Sequence, residues 1–417
     1  MTVAAAPLRR LLDRRFVLAV VVIWTLCRAI TTVILIYLAD QSQDPVVYDD
    51  SGVPRYFQFA TLWDGAWYER IATDGYPQEL PRAADGMVRQ NPWAFYPIFP
   101  FLSRGLTALT GLPFAVTGTI IATLLGYAAA IVVAGLLREK VGRAAALSAT
   151  VLLGTYPSAP TFQVAYTESL ALLLLAAVLW LLVRRAWWAA AAVALLTGLA
   201  RPIALPLGLV ALVAVIVRWR RRQEHPITRG EYAGMSAALI GCGLAGLIWP
   251  MVAWWGTGER AAYALTMSSW RGGEEITPFL PTLERVQWLW GEVTGLVILA
   301  AGLALLLVAV LGPWAKGLGV ELRTWCLGYV LYLFAALDPW TSIFRYLVLL
   351  FPLFVLLVGG GRGRDRGSSA SPTTGRPPQP TWLLVVRCVV IALIFVVLQA
   401  WWSWELFRFV PPTDDPP

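Results

Sequence analysis

Long apolar stretches alternate along this chain with short polar ones that carry most of its arginines. Phe16 to Leu38 is apolar apart from Arg28 and Thr residues, and matches the length of a helical membrane crossing. It is too long for a secretory leader, and no small-residue cleavage site follows it convincingly. Further runs lie at about 113–137, 144–160, 166–183, 187–200, 203–217, 232–254, 292–313, 324–337, 343–358 and 381–402. The pattern predicts an all-α polytopic membrane protein with about eleven transmembrane helices. Arginine placement orients it. Arg9/Arg10/Arg14/Arg15, Arg138/Lys140/Arg143, Arg184/Arg185, Arg218–Arg222 with Arg229, Lys316/Arg323 and Arg362–Arg376 all fall on one side if the count holds. The positive-inside rule makes that side cytoplasmic and leaves the C-terminus external.

This parity forces 187–217 to go out and return, with arms of only about 14–15 residues, or about 21–23 Å against a core of about 30 Å. The turn at Arg201-Pro202 then lies below the external surface. The same applies to 324–358, turning around Asp338–Tyr346, and less severely to 144–183, turning around Tyr156–Glu168. Short, proline-interrupted spans point to a site recessed in the membrane. Arg28, within the first span, is costly in lipid and is expected to face the interior beside a buried acid.

Between the first two spans lies a polar, aromatic-rich external loop, residues 40–112. A loop of that length in a compact protein is usually functional. Within it, Trp63, Trp67, Arg70 and Ile71 recur at helical spacing and Gly75 follows as a stop, predicting a short amphipathic helix with an aromatic face at the membrane surface. Asp64 stands at its start, where the helix dipole favours a carboxylate. Asn91–Pro100 reads as extended and aromatic, and Phe101–Leu109 as a second interfacial helix. Residues 256–290 form a second external loop. Residues 1–358 therefore read as one transmembrane catalytic domain, 359–380 as a cytoplasmic linker disordered by composition, and 381–417 as a final crossing with an external tail.

Composition narrows the class. The 417 residues are 58% hydrophobic and 14% charged, against about 25% charged in soluble domains. The net charge of +8 is spread in clusters beside apolar runs, which is membrane orientation and no nucleic-acid signal. Cys27, Cys242, Cys326 and Cys388 all lie inside apolar runs without metal spacing. His225 is the single histidine, so a histidine-based metal or acid–base pair is set aside. No nucleotide fingerprint or internal repeat is present, and the reading carries neither cofactor nor metal.

An external enzyme without a nucleotide site takes its activated group from a lipid carrier. Sugar transfer from a lipid phosphate needs one carboxylate to accept the acceptor's proton and cations to hold the phosphate. Trp63-Asp64-Gly65-Ala66-Trp67-Tyr68, Gly75-Tyr76, Phe95–Pro100, Tyr166-Thr167-Glu168-Ser169-Leu170 and Gly198–Pro202 occur in an order that resembles the PIG-V family of membrane mannosyltransferases. The resemblance covers roughly residues 60–205, with Phe344-Arg345-Tyr346 a weaker match. It implies a GT-C fold, a polyprenyl-phosphate-mannose donor and an essential acid in the first external loop. A glycolipid or lipid-linked glycan is the acceptor, and the reaction inverts the anomeric centre at the external face of a bacterial plasma membrane.

Asp64 is the candidate general base, with helix capping as the plain alternative. Asp49 and Asp50 are its rivals. Glu168 either orients substrate or serves the helix dipole. Arg201 and Arg345 either hold phosphate or pair internally with Glu168 or Asp338. Trp63, Trp67, Tyr68, Tyr96 and Tyr346 complete the expected substrate-binding set, and Trp401, Trp402 and Trp404 are expected in the interfacial belt. Two other functions fit the same pattern: transfer of a different polyprenyl-linked sugar, and transport or lipid flipping. Transporters often show paired halves, and none is visible here.

Overall fold

The computed structural model describes residues 13–41, 52–274, 277–337, 339–361 and 381–408. Asp49, Asp50, Asp338, residues 362–380 of the linker and the tail from 409 onward lie outside these residues. Every regular element described is helical. The α-helices are α1 (Arg14–Gln41), α2 (Arg55–Phe59), α3 (Asp64–Asp74), α4 (Ile98–Thr110), α5 (Phe114–Val141), α6 (Arg143–Thr155), α7 (Glu168–Val183), α8 (Trp187–Thr197), α9 (Leu205–Arg220), α10 (Arg229–Thr257), α11 (Ala262–Ser269), α12 (Leu280–Trp290), α13 (Glu292–Leu311), α14 (Gly319–Ala336), α15 (Ile343–Leu347), α16 (Pro352–Leu357) and α17 (Thr381–Leu406).

Five of these, α1, α5, α10, α13 and α17, are long and apolar enough to cross a membrane. Their surfaces say which side meets lipid. On α1, Leu18, Val22, Leu26, Ile30 and Val33 are exposed in one stripe at helical spacing. Phe16, Val20, Trp24, Cys27 and Leu35 on the opposite face are buried. On α13, Val293, Val297, Leu305 and Val308 all stand exposed. Apolar stripes of this extent are incompatible with water and fit acyl chains. The chain is an all-α polytopic membrane protein.

The shorter helices do the opposite. The main core joins α1, α5, α6, α7, α8, α9, α10, α14 and α16, and α7 is buried on nearly every side. As expected from the arginine parity, α8 has only 11 residues and α9 16, about 16 and 24 Å of helix, and they meet at the turn 198–204. That turn docks closely on α10. A Cβ placed on Gly198 would run into the Ala245 carbonyl oxygen, so only glycine permits the approach.

Several expectations need correction. The predicted crossing at 343–358 is two short helices, α15 and α16, separated by the buried residues Val348–Phe351. Pro352 opens α16, and because proline has no amide hydrogen to donate to the carbonyl four residues before it, it suits the first turn of a helix and not the middle of one. The second loop carries two helices, α11 and α12, where the sequence showed a plain loop. Arg28 is buried, but among the described residues it meets no acid. It donates to the Gly154 and Ala159 carbonyl oxygens at 2.7 and 2.6 Å and to Gln163 Oε1 at 3.3 Å, and lies over Trp24. Backbone carbonyls at the end of α6 and in the turn that follows solvate the guanidinium. Trp402 is fully buried against Phe407, while Trp401 is exposed, so the predicted belt is only partly one.

Candidate active site

Three turns and the start of α3 converge at one end of the short helices. Tyr156-Pro157 ends α6, since proline constrains the residue before it away from helix. A single 3-10 turn, Ala159–Phe162, then leads to Thr167 and into α7. Ser158 donates to the Phe344 carbonyl at 2.9 Å, fastening this turn to α15. Tyr332 of α14 donates to the Pro202 carbonyl at 2.6 Å, fastening the 198–204 turn. The amide of Ala165 donates to the Ala60 carbonyl at 2.8 Å, and Tyr166 Oη to the Leu62 carbonyl at 3.2 Å, which ties in the first loop.

These fastenings place four charged side chains in one chain. Glu168 Oε1 accepts from Arg201 Nη1 and from Arg345 Nε, each at 2.7 Å. Arg345 Nη2 pairs in turn with Asp64 Oδ2. Two guanidiniums and two carboxylates balance. Charges this deep are tolerable only when so paired. The two acids differ in access: the Asp64 side chain is 24% exposed and Glu168 only 1%. Glu168 Oε2 is buried and accepts no hydrogen bond among the described residues.

Aromatic side chains enclose the ions. Arg345 lies 4.6 Å from the Tyr166 ring centroid and Arg201 5.0 Å from that of Tyr346, both favourable cation–π placements. Tyr68 Oη meets Thr167 Oγ1 at 3.2 Å, and Arg201 Nη1 donates to the same hydroxyl at 3.4 Å. Burial, and then the neighbouring Asp64 carboxylate, push the Tyr68 phenol up, so it stays neutral.

α3 forms where the sequence places it, with Gly75 closing it at φ 79°. Its orientation differs. Tyr68, Ile71 and Ala72 face inward against Phe95, Phe99 and Phe114, and Arg70 is exposed. Trp67 stacks on Phe95 at 5.6 Å and meets Trp270 of the second loop at 5.5 Å, so it joins the two loops. Trp63 packs instead beside Phe59, Tyr166 and Phe407. The helix is held by protein on this face, because the two tryptophans project into different clusters. Asp64 does not cap it: Trp63 occupies the N-cap position without a side-chain cap bond, and the Asp64 carboxylate goes to Arg345. Trp63 itself has φ 60° and ψ −116°, a conformation that costs a bulky residue about 1–3 kcal/mol. That bend aims the first turn of α3 at Arg345.

Asp64, Glu168, Arg201, Arg345, Tyr68 and Tyr346 thus come together from segments as much as 281 residues apart. Tyr96 stands apart, packed on Trp249 and bonded to Tyr263 Oη at 3.1 Å in a separate aromatic cluster. Sequence reasoning quoted Tyr166 and Thr167 in the motif around Glu168 but gave neither a role of its own. It passed over Tyr329, fully buried, stacked on Trp325 at 4.7 Å and with no hydrogen-bond partner for its hydroxyl among the described residues, for which α14 offers no local signal. Among the described residues no group of three or more His, Cys, Asp or Glu is arranged to hold a metal.

No protein-family model and no curated protein matches the chain. Among solved structures it is similar to ArnT from Cupriavidus metallidurans bound to undecaprenyl phosphate, with 14% identity over 92% of this chain and 75% of that one, at a TM-score of 0.47.

Proposed function

We propose that this protein is a membrane glycosyltransferase of the GT-C type, related to the PIG-V mannosyltransferases. It moves mannose from polyprenyl-phosphate-mannose to a glycolipid or lipid-linked glycan at the external face of the plasma membrane. One observation carries the reading: the first-loop carboxylate of Asp64 shares the Arg345 guanidinium with Glu168, within a recess also lined by Arg201.

The reaction needs an anion-binding site beside a base. The acceptor hydroxyl oxygen attacks the anomeric carbon, the bond from that carbon to the phosphate oxygen breaks, and polyprenyl phosphate leaves with the bonding electrons. The hydroxyl proton passes to Asp64, and the configuration inverts. Asp64 suits this better than Glu168 because it is the acid a substrate can reach. Arg345 links the two halves. A guanidinium presents five donors in a planar fork, so it can turn part of its face from Asp64 to a donor phosphate. The carboxylate loses its cation as the phosphate arrives and becomes the better proton acceptor. Arg201 adds a second positive charge, and Tyr68 and Tyr346 wall the sugar side.

Replacing Asp64 with Asn keeps size and hydrogen bonding but removes proton acceptance. In purified protein assayed with polyprenyl-phosphate-mannose, Asp64→Asn should fold and lose about 10²–10⁴-fold in turnover. A fully active Asn variant would end the assignment, and Asp49→Asn and Asp50→Asn, assayed alongside, would show whether either inherits the role. Wild-type protein that transfers only another polyprenyl-linked sugar would correct the donor and leave the mechanism standing.

A further inference from the structure

At the opposite end of α7 and α9 from Glu168 and Arg201 lies a cavity of about 220 Å³. With 16 residues, α7 separates the two places by about 24 Å. Its lining is mainly polar, from Arg185, Arg218, Arg221 and Glu321, with Val183 and Val217 beside them.

The charges do not cancel. Arg218 is buried and satisfied, bound to Glu231 through Nε and Nη2 at 2.6 and 2.7 Å and to the His225 carbonyl at 2.9 Å. Glu321 is neutralised by Lys140 at 3.0 Å. Arg185 and Arg221 are exposed and have no ion-pair partner among the described residues. The cavity therefore carries a net positive charge. Arg185 is also strained, with φ 56°, in the left-handed position after a helix that glycine normally fills. An arginine kept there against its backbone preference points to a task for its side chain. The exposed Trp188 and Trp219 flank this end, as residues at a membrane interface do.

We propose that this cavity binds the phosphate of an anionic membrane lipid, with Arg185 and Arg221 holding the headgroup. Its place at the membrane interface, flanked by Trp188 and Trp219, favours a lipid headgroup over free phosphate. By the arginine parity this is the inner leaflet, so the site is distinct from the candidate active site.

The full-length protein, purified in a neutral detergent, is titrated with phosphatidylglycerol, phosphatidylcholine or inorganic phosphate and read by native mass spectrometry. Phosphatidylglycerol should bind in preference to the other two. The pair Arg185→Gln/Arg221→Gln should bind it about thirtyfold more weakly, from about one surface charge's worth of attraction for each arginine. Arg220→Gln/Arg222→Gln, which removes the same charge from the same end outside the cavity, should change binding little. Arg185→Gly relaxes the backbone, so its melting temperature without lipid should be no lower than wild type while its lipid binding falls. Equal losses in both arginine pairs would mean diffuse surface attraction and overturn the site. Phosphate binding without phosphatidylglycerol binding would overturn the lipid.

Discussion

Arg345 serves two acids and Arg201 one, so the two arginines are not equivalent. Arg345→Gln strands Asp64 and leaves Glu168 with Arg201 alone, whereas Arg201→Gln leaves both acids paired with Arg345. Removing one partner of a buried pair costs about 3–5 kcal/mol. Asp64 is partly solvated and adds less, so the expected order of thermal stability is wild type, then Arg201→Gln, then Arg345→Gln. The reverse order in detergent melting curves would mean that Asp64 is not held by Arg345 in solution. Both variants that fold should raise the KM for the polyprenyl-phosphate donor more than that for the acceptor. Unchanged donor kinetics would leave the arginines as structural ions only. Arg345→Lys tests geometry at constant charge: a single ammonium lacks the planar fork that serves Glu168 through Nε and Asp64 through Nη2, so it should not restore donor KM.

At the scale of elements, the recess depends on short helices that stop early and turn. The turn after α8 carries Arg201 and sits where it does because Gly198 touches the α10 backbone. A methyl group there would meet a carbonyl oxygen that has nowhere to go. Gly198→Ala should cost about 1–3 kcal/mol as an overpacked contact and shift Arg201 away from Glu168. A lowered melting temperature with a raised donor KM is expected, and unchanged values of both would mean that α8 and α10 are less closely apposed than this. α3 is a complementary case. Its existence and its Gly75 stop were legible from spacing. Which face it buries was not, because the aromatic residues on it are claimed by partners from α4, α7 and the second loop.

At the scale of the molecule, the polarity of the two ends is the testable claim. The Asp64 cluster and the arginine-lined cavity lie at opposite ends of α7 and α9, so they should face opposite sides of the membrane. Reporter fusions at Gln223 and at Gly272 check this in cells, with Gln223 expected to be cytoplasmic and Gly272 external. An external score at Gln223 would remove the recessed α8–α9 hairpin and the inner-leaflet position of the cavity together. The exposed stripes on α1 and α13 fix the lipid-facing perimeter independently of that result.

The sequence alone determined the class, the long helices and the existence of early-turning short ones. Those properties depend on run length, proline and arginine placement, all local along the chain. It also nominated Glu168, Arg201 and Arg345, because a charge at a turn between apolar runs is conspicuous, and Asp64, by its place at the start of the first-loop helix and by the family resemblance. It left open what each of them does with the others. Only the tertiary structure decided that Arg345 bridges Asp64 and Glu168, that Asp64 is no helix cap, and that Tyr96 packs in a different cluster. The same holds for Arg28, whose partners are carbonyl oxygens exposed by the end of α6 and its turn. A backbone carbonyl has no sequence signature, and a pairing across hundreds of residues is set by how helices pack, which hydropathy does not encode.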